Sequence, residues 1–183
     1  ILDLADLFIQ EKQKNEDATE AKRYKQAKED LFERILEYGN GSVDKDLDVY
    51  FWNDQRELEM LLTDSIALQC AEIANKDVDS SRNDLWFAAI RNNDGSSNPE
   101  KIQIISPYRG EFYGTGSLNL LMQNAFNEKW SKKKLDGIGY YDKVIQIRNR
   151  PQSDPAYAYS DISRKNEKRE IFNGEIGLSN VHG

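Results

Sequence analysis

Between residues 55 and 75 the apolar positions Leu58, Leu61, Leu62, Ile66, Cys70 and Ile73 recur every three or four residues. That interval predicts one face of an α-helix, with Asn53 or Asp54 placed to cap its start. An earlier stripe, Tyr24, Ala27, Leu31, Ile35 and Tyr38, predicts a second helix that stops at Gly39-Asn40-Gly41, where the left-handed cap conformation is cheap. Leu2, Ala5, Phe8 and Ile9 carry the same spacing, so a helix is expected to be under way at the start. The charged stretch 11–28 reads as a solvated helical arm. A short helix is expected over 84–91 with Leu85, Trp86 and Phe87, and another over 117–130 with Leu118, Leu121, Met122, Ala125 and Phe126. Two strands sit between them: 48–52, short and buried, and 101–105, with three isoleucines. Residues 92–99 are a loop. Helices alternating with strands are the pattern of a parallel α/β sheet.

After the lysine cluster Lys129, Lys132, Lys133 and Lys134 the pattern changes. Asp136-Gly137 marks a turn, 140–148 reads as a strand, and 171–176 reads as a compact hairpin around Asn173-Gly174, a pair suited to a type I′ turn. The expected organisation is an α/β part over 1–135 and a small antiparallel β-rich part over 136–183. The chain opens at Ile1 inside an apolar pattern and closes soon after that hairpin signal, so it reads as an excised piece.

Composition narrows the classes. No apolar run approaches the ~20 residues that span a bilayer, and no signal-peptide pattern opens the chain. A single cysteine excludes an internal disulfide, and a single histidine, His182, argues against a zinc site. Cys70 lies on an apolar helix face, as a small core residue does. A cytoplasmic setting is the expectation. The formal net charge is −7, but it is uneven. Residues 1–128 carry 14 Lys+Arg against 25 Asp+Glu, a balance of −11, and residues 129–183 carry 11 against 7, a balance of +4. Phosphate would favour the second part, although four lysines can equally form a solvated turn.

No phosphate-binding G-x-x-x-x-G-K-[ST] loop and no G-x-G-x-x-G after a strand occur, and no nucleophile sits in a catalytic string. The richest segment is 102–127. A predicted strand ends in Ser106-Pro107-Tyr108-Arg109-Gly110, glycines 110, 114 and 116 cross over, and a helix begins near Thr115. A helix amino terminus offers N–H groups to an anion, Arg109 a donor fork, and Tyr108 a stacking face. The plain alternative is a strand-to-helix turn with a capping Thr or Ser.

The string IQIISPYRGEFYGTGSLNLLMQNAFN resembles a stretch of the second RecA-like domain of RecD-like superfamily 1 helicases, at Ser106, Pro107, Gly110, Gly114, Leu118, Asn119, Gln123, Phe126 and Asn127. A second string, Asp142, Lys143, Val144 and Gln146 with Asn149, then Phe172-Asn173-Gly174-Glu175 and Gly177, resembles the pair that builds the SH3-type barrel inserted in that domain. Together they cover about residues 100–177. The resemblance implies a partial RecA-like parallel sheet with helices, followed by a small antiparallel SH3-like barrel portion. It implies a piece of an ATP-dependent DNA helicase of the exodeoxyribonuclease V subunit type, working in recombination and repair. Ser106, Pro107, Tyr108, Arg109, Gly114, Thr115, Asn149 and Asn173 would contact single-stranded DNA. The remaining helicase domains would be partners, with nuclease or helicase subunits as further candidates. ATP and magnesium would belong to the whole motor, with no catalytic, cofactor or metal residue here. The sequence departs from the family in lacking the Walker motifs and the final arginine-bearing motif. The connection 149–170 is long, and Tyr141 stands where the family often has glycine.

Two readings therefore compete: one grip of a single-strand track, or a non-enzymatic interaction module whose acidic part packs on other domains. A free-standing enzyme lacks any catalytic constellation.

Overall fold

A computed structural model describes residues 18–45, 47–128, 134–135, 137–160 and 163–179. The expected first helix through Leu2, Ala5, Phe8 and Ile9, the charged stretch before Ala18, and Lys129, Trp130, Lys132, Lys133, Asp136 and His182 lie outside the described residues. The chain divides into two compact units, 1–54 and 55–183, and the expected boundary at 135 falls inside the second.

In the first unit, helix α1 (Ala18–Tyr38) ends where Gly39 takes a φ of 67° and its amide returns to the Ile35 carbonyl at 3.2 Å. Strands β1 (Gly41–Asp44) and β2 (Leu47–Val49) form an antiparallel pair, and Arg34 donates to the Val43 carbonyl at 2.7 Å. The strand expected over 48–52 is thus shorter and starts earlier. Tyr50, Phe51 and Trp52 run beyond it and stay exposed. Apolar composition marked them as buried, but they lie past the end of the short β1–β2 pair.

The second unit is built on α2 (Gln55–Ala74), α3 (Arg82–Ile90) and α4 (Thr115–Phe126). Ile66, Ala67, Cys70 and Ala71 of α2 meet Leu85 and Ala89 of α3 and Phe126 of α4 in one core. Three alanines among these residues allow close helix approach, and the Trp86 and Phe126 rings meet at 6.2 Å, tilted by 54°. The buried line centres on Cys70, so Ile73, expected on that face, rotates into solvent. Burial pushes the Cys70 thiol up to about 11, which keeps it protonated near neutrality. Ser81 caps α3, accepting from the Asp84 amide at 3.2 Å and donating to its carboxylate at 2.8 Å.

The strand expected over 101–105 is not formed. Pro99–Lys101 is a 3-10 turn, and the following extended residues pair with no other described strand. Every strand pair among the described residues is antiparallel, so no parallel sheet is present there. Three isoleucines favour extended backbone but cannot supply the neighbour a ladder needs.

The β-rich part opens with β3 (Lys134–Leu135) against β4 (Ile138–Gly139). Beyond it runs an interrupted two-stranded ribbon. β5 (Lys143–Ile145) pairs with β8 (Ile176–Leu178), Gln146 exchanges backbone bonds with Gly174 and Glu175, and Arg150 bridges Ile171. β6 (Ala156–Ser160) and β7 (Lys165–Arg169) then close it as a hairpin in five-residue register. No closed barrel exists among the described residues. The 171–176 signal is not a hairpin either: both strand partners of this segment lie upstream. Its turn is not type I′, because only Gly174 takes a positive φ, 96°, as in a type II turn. Among the described residues the fold class is mixed α/β, four α-helices with short antiparallel strand pairs.

Candidate nucleic-acid interface

Residues 106–115 fold into a closed loop on the start of α4. The Ser106 hydroxyl donates to the Tyr113 carbonyl at 2.8 Å and accepts from the Tyr108 amide at 3.2 Å. The Thr115 amide donates to the Tyr108 carbonyl at 2.9 Å, and Ser117 donates to the Glu111 carbonyl at 2.8 Å. Glu111 takes the left-handed φ of 63° needed to turn the chain. Gly114 is dictated by packing: a Cβ there would lie 1.7 Å from the Gly110 carbonyl oxygen. Its smallness serves loop closure, where the sequence suggested close approach of a phosphate backbone. Gly114 also takes the cap position of α4 without a side-chain bond, so neither Thr115 nor Ser117 caps it.

Pro107, Tyr108, Arg109 and Thr115 remain exposed on this loop. The Tyr108 ring stands edge-on to Tyr113 at 5.1 Å, which fixes one side and leaves a face to solvent. Arg109 makes no ion pair with a described residue, so its five donors are available to an anion. Six of the expected contacts, Ser106, Pro107, Tyr108, Arg109, Gly114 and Thr115, therefore share one loop. Asn149 and Asn173 form a separate pair, the Asn173 amide donating to Asn149 Oδ1 at 2.8 Å across the ribbon. That bond occupies the Asn149 oxygen in bracing the turn, and no hydrogen bond or ring contact joins this pair to the loop.

A second cluster fixes the β-rich part to α4. The Asp142 carboxylate accepts from Asn127 Nδ2 at 2.7 Å, from the Gly139 amide at 2.6 Å, and from the Gln123 side-chain amide. Asn127 also donates to the Tyr140 carbonyl at 2.8 Å, the Asp142 carbonyl accepts from the Ser179 amide at 2.8 Å, and the Asp142 amide donates to the Ser179 hydroxyl at 3.0 Å. Tyr141, beside it, sits at a φ of 63°, the conformation for which glycine is the usual residue. Its ring lies edge-on to Phe87 at 4.9 Å, and it bonds to Tyr140, whose phenol is pushed up to about 12 by that bond and by burial. Lys143 donates to the Ile102 carbonyl at 3.1 Å, and partial burial pulls its ammonium below the usual lysine range.

Between the extended 102–104 segment, α4 and β5 lies an open groove of about 580 Å³, walled by Ile102, Ile104, Met122, Phe126 and Val144. None of the expected contact residues lines it. Sequence reasoning also passed over Tyr157, Tyr159 and Lys168 in the ribbon. The signal was the alternation Ala156-Tyr157-Ala158-Tyr159, hidden inside a connection judged only by its length. Among the described residues no group of three His, Cys, Asp or Glu side chains could hold a metal ion, and no helix is long and apolar enough to cross a membrane.

Comparison of the chain with family models, characterised proteins and solved structures finds no match.

Proposed function

We propose that this chain is a segment of the second motor domain of a RecD-like superfamily 1 DNA helicase, with part of its SH3-like insertion, and that it grips single-stranded DNA. What supports this reading is the meeting of its two motif strings. Gln123 and Asn127 belong to the first string and Asp142 to the second, and both amides donate to that one carboxylate. The left-handed backbone at Tyr141, where the resembled family often has glycine, points the same way.

In this reading Arg109 pairs with a phosphate and Tyr108 stacks on a base or sugar. The exposed Thr115 side chain adds a hydroxyl, and the next amides of α4 add backbone donors, the Thr115 amide being held by the Tyr108 carbonyl. The Ser106 and Gly114 contacts hold the loop's shape. In this reading ATP and magnesium belong to the whole motor, and no nucleotide step is assigned to this chain, whose sequence has no phosphate loop. Nucleotide chemistry, the remaining motor domains, nuclease or helicase subunits and a cytoplasmic setting belong to the same proposal for the whole protein.

One observation favours the interaction-module reading. Ile105 is 87% exposed on an extended segment that pairs with no described strand, an edge that another chain could cover. Titration with single-stranded and duplex oligonucleotides of one sequence separates the two. The helicase reading predicts preference for the single strand with steep salt dependence. Absent or salt-insensitive binding would favour the module.

A further inference from the structure

The β6–β7 hairpin carries a tyrosine face largely open to solvent, although Tyr159 lies near enough to Tyr140 to help raise its phenol. Its register pairs Tyr157 with Lys168 and Tyr159 with Asn166, and directly opposed residues of an antiparallel pair share a face. Tyr157, Tyr159, Asn166 and Lys168 therefore lie on one side and Ala156, Ala158, Ser160, Lys165, Glu167 and Arg169 on the other. On β6 burial follows the same alternation: Ala156, Ala158 and Ser160 are partly or fully buried, whereas Tyr157 is 72% and Tyr159 48% exposed; on β7 only Glu167 is partly buried. Two tyrosines held open to water on a regular strand cost hydrophobic contact without contributing to a core.

Charge selects what would cover them. The paired stretch of that face contains no carboxylate. Glu167, on the other face, bonds to Ser163 and pairs with Arg169 at 3.7 Å, and Asp154 pairs with Arg150 at 3.3 Å. Lys168, the cation of that face, makes no ion pair with any described residue. Lys168 sits 5.8 Å from the Tyr157 ring centroid, which places a cation beside an aromatic face. Residues two apart on a strand stand about 7 Å apart. That is twice the ~3.4 Å rise of stacked bases, so each ring has room for its own unstacked base.

We infer that the Tyr157–Tyr159–Lys168 face of this hairpin is a binding site for single-stranded nucleic acid, with the rings stacking on successive bases and Lys168 on the phosphate between them. The site rests on the motor-domain reading only for the class of its ligand, and shares no residue with the 106–115 loop. It gives the long 149–170 connection a task.

The test is fluorescence anisotropy of the full chain with labelled oligo(dT) and oligo(U) of about 15 nucleotides, over a salt series. Tyr157→Ala/Tyr159→Ala should weaken binding at least about tenfold, and Tyr157→Phe/Tyr159→Phe should stay within about twofold, because the ring rather than the hydroxyl stacks. Lys168→Gln should flatten the salt slope by about 0.7. Circular dichroism should show unchanged folding for all three, since these side chains are exposed. Loss with the alanine pair but not with Arg109→Ala would uphold the hairpin site and remove the loop; loss with both would uphold both. Wild-type affinity in the alanine pair overturns the hairpin site, whatever Arg109→Ala does. So does failure of the wild-type chain to bind either oligonucleotide.

Discussion

The helices of the second unit and the ribbon that follows them are stabilised by different means. All seven residues of the buried cluster come from α2, α3 and α4, and none from the ribbon. The ribbon has a ladder of backbone bonds, side chains mostly open to solvent, and a polar attachment at Asp142. Burial of apolar area is diffuse and tolerant, whereas a hydrogen-bonded attachment depends on a few atoms. The packed part should therefore set global stability, and the ribbon should be able to open locally while the helices persist.

The largest effect is expected in the packed part. Phe126→Ala removes the ring that meets both Trp86 and the α2–α3 core, and should cost about 3–5 kcal/mol in denaturant unfolding. A loss below about 1 kcal/mol would mean that the helices do not share one core. Next comes the attachment. Asp142→Ala strands the donors of Gln123, Asn127 and Gly139 and should cost about 2–3 kcal/mol. The comparison predicts where the cost falls: amide exchange should quicken along 143–178 while α2 and α3 keep their protection. Uniform quickening would erase the distinction between the two regions. The smallest effect tests the strain beside the attachment. Tyr141→Ala and Tyr141→Gly lose the same ring contacts, but only glycine relieves the left-handed backbone. The glycine variant should be the more stable by about 1 kcal/mol, the reverse of the usual order. Equal melting of the two would show that Tyr141 is not strained.

The same contrast explains what could be read beforehand. The helices were legible because one turn's spacing identifies a buried face from within the segment, and Gly39 marked an end that its positive φ accounts for. Strands need partners that local sequence does not name. The isoleucines of 101–105 predicted a strand and none formed, while Lys165-Asn166-Glu167-Lys168-Arg169, poor in strand formers, became β7 through its pairing with β6. The 106–115 loop was legible through glycine, proline and arginine. The Asp142 attachment was visible only as matched motif positions, because a contact between residues 123, 127 and 142 is set by the fold rather than by spacing.

The proposed function turns on one exposed side chain. Arg109→Ala should leave the melting temperature unchanged, since Arg109 has no ion pair with a described residue to lose. Binding of the chain to single-stranded oligonucleotide should weaken, and the plot of log affinity against log salt should flatten by about 0.7 to 1, the loss of one phosphate contact. If affinity and slope both stay at wild-type values, the 106–115 loop is only a structural turn into α4 and the track reading is contradicted.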